Sequence, residues 1–273
     1  MGLTGDGVTT GRPADTMPAG DLSGLARLRG ELKSHPSLIA GGVLAVVVVI
    51  VAIAGRLAPP HNPLALSPGH ALVPPGTGHW FGTDQFGRDV FSRVLYGLGM
   101  DVVIGLIVAA LAFAVGAMAG IISGYLGGWI DDIVMRVIDI VMSLPPFLLA
   151  LSIAVVLGNT VRNVIIAVTI AYVPYILRLT RGSVLTARGA DYVLGARAVG
   201  ASRSRVMALH VLPNTVGPSL VQATLMSGWA ILDVSGLSFL GVGIQPPSPE
   251  LGAQVAQGAS YISSGQWLSL IHI

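Results

Sequence analysis

The sequence predicts an all-α polytopic membrane bundle, and three observations carry that prediction. Of 273 residues, 53% are hydrophobic and only 10% are charged, whereas soluble domains carry about 25% charged residues. The apolar residues gather into runs near the ~20 residues that a helix needs to cross a bilayer. The arginines gather largely outside those runs, six of the fourteen in one segment, 178–205. There is no cysteine, which excludes disulfides, zinc–thiolate centres and thiol nucleophiles.

Taken in order, residues 1–20 are rich in Gly, Thr, Pro and Asp and have no apolar core. They read as a disordered cytoplasmic tail, not a signal peptide. Leu22, Leu25, Leu28 and Leu32 recur at helical spacing with Arg27, Arg29 and Lys33 between them. That pattern predicts a short amphipathic helix on the membrane surface, capped by Asp21 and ended by His35-Pro36. The first span is Leu38 to Ala58. Pro59 to Gly82 reads as loop, and GTDQFGRDVFSRVLYG (82–97) as a surface helix with Arg88, Asp89 and Arg93 off its apolar face.

Val102 to Ile122 is the second span, where Gly116 and Gly120 make a small-xxx-small pair that permits close packing. GYLGGWIDDIVMR (124–136) reads as a tight polar connection. Ile138 to Leu157 is the third span, interrupted by Pro145-Pro146. Val164 to Leu179 is the fourth, with Pro174 inside it. A basic loop runs from 180 to 218, Ser219 to Leu240 is the fifth span, and Ala253 to Ile273 contains no convincing span. The domain reading is therefore a tail (1–20), an interfacial helix with the first span and an external segment (21–97), and a bundle (98–273) with its basic loop at 180–218.

Eleven of the fifteen basic residues fall before the first span, between the second and third, or around the loop after the fourth. The positive-inside rule puts those segments and the N-terminus in the cytoplasm.

Within the basic loop, Asp191 to Pro213 reads DYVLGARAVGASRSRVMALHVLP. Small residues at 195, 196, 198, 200 and 201 let a short helix lie against a partner. Gly200 lets the chain turn sharply, and Pro213 is expected to end the following helix. On its own residues the segment is either an ordinary positive-inside loop or a docking element. Asp233 lies inside the fifth span, where a carboxylate is costly unless paired or wetted. It is read either as a contact on a solute path or as a buried pairing. Asp139 is expected to pair with Arg136, three residues earlier. His61, His70 and His79 are nine residues apart and are not at ligand spacing, so no metal site is expected.

Four segments then carry a resemblance. The loop is similar to the coupling loop of permease subunits in ATP-driven, binding-protein-dependent importers. In that pattern Leu194-Gly195-Ala196 stands where the family has Glu-Ala-Ala. Gly200, Leu212 and Pro213 match, and His210 replaces an isoleucine. GTDQFGRDVFSRVLYG, GYLGGWIDDIVMRVIDIVMSLPPFLLAL and ILDVSGLSFLGVGIQPPSPELG resemble the dipeptide/oligopeptide/nickel branch, in particular its second dipeptide permease. The resemblance covers about Gly30 to Trp267.

It implies a type I importer fold of six spans, of which five are present here. The chain after SYISSGQW, ending WLSLIHI, departs from the family and is read as lacking the sixth span. It also implies import of di- or oligopeptides across the inner membrane by alternating access. The implied partners are a second permease in a heterodimer, two cytoplasmic ATPases and an extracytoplasmic binding protein. The ATPase-coupling residues would be Leu194, Gly195, Ala196, Arg197, Gly200, Arg203, Arg205, His210, Leu212 and Pro213, with Asp233 on the pathway.

No cofactor, catalytic residue or nucleic-acid partner is expected. A phosphate-binding loop needs glycines leading to Lys-Ser/Thr, and the only lysine, Lys33, sits in RGELKS. ATP would therefore be used by partner subunits. An intramembrane protease would need a base at membrane depth, and no span holds a histidine. A self-contained secondary transporter would need several buried ionisable groups or inverted repeats. Nickel or another small solute remains an alternative cargo.

Overall fold

The computed structural model describes residues 36–262. The chain divides into two units, Met1–Val47 and Val48–Ile273. The tail and amphipathic helix expected before Pro36, and the residues after Ile262, lie outside the described part. In the first unit, Pro36–Val47 is the opening of helix α1 (Pro36–Leu57), and its Val43, Leu44 and Val46 are exposed.

The second unit is built from helices. α2 (Val90–Leu126) is followed by α3 (Gly128–Val141), α4 (Pro146–Leu157) and α5 (Val161–Ala187). α6 (Asp191–Ala198) leads to a short α7 (Arg203–Val206), a π turn (Met207–Val211), α8 (Leu212–Phe239) and α9 (Leu251–Ala259). Among the described residues, four helical stretches are long and apolar enough to cross a membrane. A fifth crossing arises if α3 and α4, bent 84° across Ser143–Pro145, count as one span. Four of the five expected spans are single helices, and the third, interrupted at Pro145-Pro146, is a sharply bent pair.

α2 corrects the sequence reading most. The expected surface helix and second span are one 37-residue helix, about 55 Å long at 1.5 Å per residue. It runs unbroken across 97/98. Two glycines near this junction serve close packing. A Cβ on Gly97 would lie 2.1 Å from Pro249 O, and one on Gly99 would lie 2.5 Å from Ala52 O. Nor are the charges at its start on the surface: Arg88, Asp89 and Arg93 are all buried. Arg88 Nε donates to Asp84 Oδ2 at 2.6 Å, and Arg93 Nη1 donates to Pro63 O at 2.9 Å. Buried charge persists only when paired and hydrogen-bonded, and the Pro-rich loop before α2 supplies those partners. That loop, 58–89, holds one 3₁₀ turn (Pro68–His70).

The main core lies between α2, α4, α5 and α8, with Val108, Ala154, Val168, Ile176, Ala230 and Leu237 fully buried. Gly116, Gly120 and Gly124 line the α2 seam against α5. Their missing Cβ atoms would fall 2.8 Å from Ile176 Cβ, 2.6 Å from Leu177 O and 3.1 Å from Arg181 O. A smaller second core (Ile121, Tyr125, Val184, Val193, Val206, Val211) sits beneath α6 and α7.

Candidate functional site

The segment 180–218 is mostly helix, not loop. α5 continues to Ala187, and only 188–190 and 199–202 are non-helical before α8. Pro174 is accommodated inside α5. Ala190 starts α6, which ends in a Schellman turn. Gly200, at φ +84°, donates to Arg197 O at 3.0 Å, and Ala201 donates to Ala196 O at 3.1 Å. The sharp turn expected at Gly200 is there, and its positive φ explains why glycine occupies it. Ser202 then caps α7, accepting from Arg205 N.

Pro213 does not end a helix. It lies in the first turn of α8, directly after the π turn, where Leu212 N donates to Met207 O. A proline cannot donate and its ring crowds the carbonyl four residues back. The widened turn accommodates that defect, so the helical path runs on from Arg203 to Phe239.

This helix–turn–helix holds its arginines in two different ways. Arg197 Nε donates to Tyr125 Oη at 3.2 Å, and its guanidinium lies 5.0 Å from the Tyr125 ring centre. Arg197, Arg203 and Arg188 line a cavity of about 560 Å³ with Tyr125. Arg205 and His210 line a separate hollow of about 570 Å³ with Gly195, Ala196 and Gly200. The outer surface is apolar: Leu194 is 50% exposed, Leu209 64% and Val199 86%. Leu212 and Pro213 are exposed beside them. The predicted residues therefore share one element, where Arg197 and Arg203 line one hollow, Gly195, Ala196, Gly200, Arg205 and His210 the other, and Leu194, Leu212 and Pro213 neither.

Beneath it, Arg181 Nε and Nη2 grip both oxygens of Asp131 at 2.5 Å, and Ser123 Oγ also donates to Asp131. This clamp ties α5 to α3. Asp139 pairs with Arg178, not with Arg136, at 2.6 Å. The local i, i−3 rule failed because α3 packs on α5 and offers a partner from another helix. Sequence reading missed Arg181 and Tyr125 as fixed members of the site. Their only signal was position: a tyrosine and an arginine at the same ends of two adjacent spans.

Asp233 lies elsewhere in the bundle. Its Oδ2 accepts from Tyr172 Oη at 2.7 Å. It is therefore paired, though with a hydroxyl and not a cation. Together they face a cavity of about 340 Å³ whose wall includes Pro145, Phe147, Tyr175, Met226 and Trp229. The cavity is apolar with a few convergent polar groups, the usual make-up of a small-ligand site.

The loop 58–89 brings together residues that spacing kept apart. His79 Nδ1 lies 2.8 Å from Asp89 Oδ1, and His61 Nδ1 lies 3.6 Å from Asp89 Oδ2. Asp89 caps α2 through Ser92 N at 2.8 Å. Burial alone would raise its pKa, but the bonds from Ser92 and His79 outweigh it and hold the carboxyl below the usual range. His70 takes no part in this cluster.

Residues 116–271 match the family described as binding-protein-dependent transport system inner membrane component. The probable D,D-dipeptide transport system permease protein DdpC of Escherichia coli (strain K12) is 40% identical over 242 residues, covering 89% of this chain and 81% of that protein. The dipeptide transport system permease protein DppC of Bacillus subtilis (strain 168) is 36% identical over 259 residues, covering 95% and 81%. The DppC protein of Alkalihalophilus pseudofirmus is 37% identical over 240 residues, covering 88% and 79%. With this match over more than half of its length, four or five apolar crossings among the described residues and relatives of this similarity, the chain belongs to the binding-protein-dependent transport system inner membrane component family, as a multi-pass membrane permease subunit.

Proposed function

We propose that this chain is a permease subunit of an ATP-driven importer of di- or oligopeptides. In this reading it pairs with a second permease, receives cargo from an extracytoplasmic binding protein and is driven by two cytoplasmic ATPases. The relatives' names support the peptide cargo. The N-terminus is cytoplasmic, and the coupling element is 180–218, with the helix–turn–helix 191–213 as the part that enters an ATPase. Asp233 and Tyr172 line the solute path, where the carboxylate can meet a peptide's amino group. Coupling requires the element to bind different ATPase states with different affinity, because only a differential affinity moves a conformational equilibrium.

One observation carries the docking proposal: a protruding turn pairs exposed Leu194, Val199 and Leu209 with arginines. Apolar side chains so exposed beside charge are typical of a surface that a partner covers. Val199 touches nothing the fold needs, so Val199→Glu tests the surface without harming the bundle. Joined with Arg205→Glu, it should cut recovery of the ATPase subunits with the membrane complex at least about tenfold, the effect of losing ~1.4 kcal/mol. Full recovery with unchanged uptake would refute docking here. Because the chain has no cysteine, Val199→Cys gives a single thiol. An impermeant reagent should label it in inverted vesicles and not in intact cells.

A further inference from the structure

We infer that His61, His79 and Asp89 form a binding site for a borderline divalent transition metal, with Zn²⁺ as its best-suited ion. The three residues come from separate stretches of the loop 58–89 and the start of α2, yet their ligand atoms all lie within 4.8 Å of one another. Two imidazoles and one carboxylate are ligands that zinc accepts, in a three-residue set that leaves a fourth position for water.

The spacing favours a metal over a simple hydrogen-bond triad. His79 Nδ1 is 2.8 Å from Asp89, an ordinary hydrogen bond. His61 Nδ1 is aimed at the same carboxylate but stops 3.6 Å short, too far to bond directly. Ligand atoms on Zn bonds of about 2.0–2.1 Å at tetrahedral angles stand roughly 3.3 Å apart. The two observed separations bracket that value. The rings are also placed for it, with centres 5.0 Å apart and planes tilted 41°.

Two backbones and the carboxylate are fixed in advance. His61 N donates to Ser92 Oγ at 2.9 Å. The His79 carbonyl accepts from Gly76 N and Gly82 N, both at 2.9 Å. Asp89 is held by its capping bond to Ser92 N at 2.8 Å. Metal affinity depends on such outer supports, whose loss typically costs 10–100-fold. The His61 side chain is 50% exposed and that of His79 27%, so an ion can enter and the open position faces solvent. A bound ion would tie the start of the loop, near the end of α1, to the cap of α2. The site needs neither peptide cargo nor ATPase docking to exist.

The test uses the full-length chain in lipid nanodiscs, purified on a tag that contains no histidine. Zn²⁺ is titrated calorimetrically, and Co²⁺ serves as a coloured substitute. One equivalent per chain should bind, and Co²⁺ should give the intense visible bands of four-coordinate geometry. His61→Ala and His79→Ala should each weaken Zn²⁺ binding at least tenfold, while His70→Ala should leave it unchanged. If His79→Ala fails to fold, the half-exposed His61 decides the matter. Absence of saturable binding to the unaltered chain, or unaltered affinity in a folded His61→Ala or His79→Ala variant, would overturn the site.

Discussion

Gly120 offers the sharpest test of how α2 and α5 are held together. A Cβ built there would stand 2.6 Å from Leu177 O, 2.8 Å from Thr180 Cβ and 3.1 Å from Arg181 N. Two of these three atoms are backbone, so no side chain can swing aside. Ordinary contact begins at 3.4 Å, so Gly120→Ala must push the helices apart by about 0.8 Å. Overpacking of this kind costs ~1–3 kcal/mol, against a gain of ~0.5–1 kcal/mol from alanine's helix propensity. The net loss is about 1–2 kcal/mol, a factor of roughly 5–30 in the folded-to-unfolded ratio. Gly182 is the matched control: it is exposed within α5 and nothing lies within 4 Å of its Cβ position. Gly182→Ala should stabilise by up to ~1 kcal/mol. Reversible unfolding by sodium dodecyl sulfate in mixed micelles reads both variants. Equal or greater stability for Gly120→Ala than for Gly182→Ala would refute the seam as the reason for glycine.

Two other substitutions test a half-buried ion pair and a buried carboxyl. Arg181→Lys keeps the cation but loses the two-toothed grip on Asp131, and should cost about 1–2 kcal/mol in the same unfolding assay, with Arg178→Lys, in the exposed pair, near zero. Glu250 is completely buried, caps α9 through Ala253 N at 2.7 Å, and burial raises its pKa above 4.5. A raised folded-state pKa gives stability that is full below the unfolded value and lost as the pH climbs through the folded one. Glu250→Gln keeps an oxygen for the cap and cannot ionise. It should raise Tm at pH 7 by about 2–4 °C, the equivalent of ~1 kcal/mol, and the gap should close towards pH 4. A gap that persists at low pH would refute the charge as its cause.

The crossings were legible because a bilayer requires long apolar helices and the chain carries few charges to interrupt them. Gly200 was legible because a Cβ penalises its φ of +84°, and local chemistry alone decides that. Partnerships across the fold were not. Nothing near Asp233 in sequence announces Tyr172, 61 residues earlier, and a separation of 18 residues hides the meeting of His61 with His79. Arg88 and Arg93 looked solvated because the stretch around them is polar. Their burial depends on Asp84 and Pro63, which a Pro-rich loop folds back to supply. Gly97 and Gly99 make close contacts with Pro249 and Ala52, contacts that no local pattern announces.

The 84° elbow between α3 and α4 has a consequence for whatever surrounds it. Pro145 and Pro146 have no N–H, so the carbonyls of Val141 and Met142, four residues back, lack the donors an unbroken coil would supply. Hydrocarbon tails donate nothing. Any assembly built from this polypeptide must therefore keep that corner hydrated or seal it with a neighbouring subunit, and acyl chains alone cannot surround it.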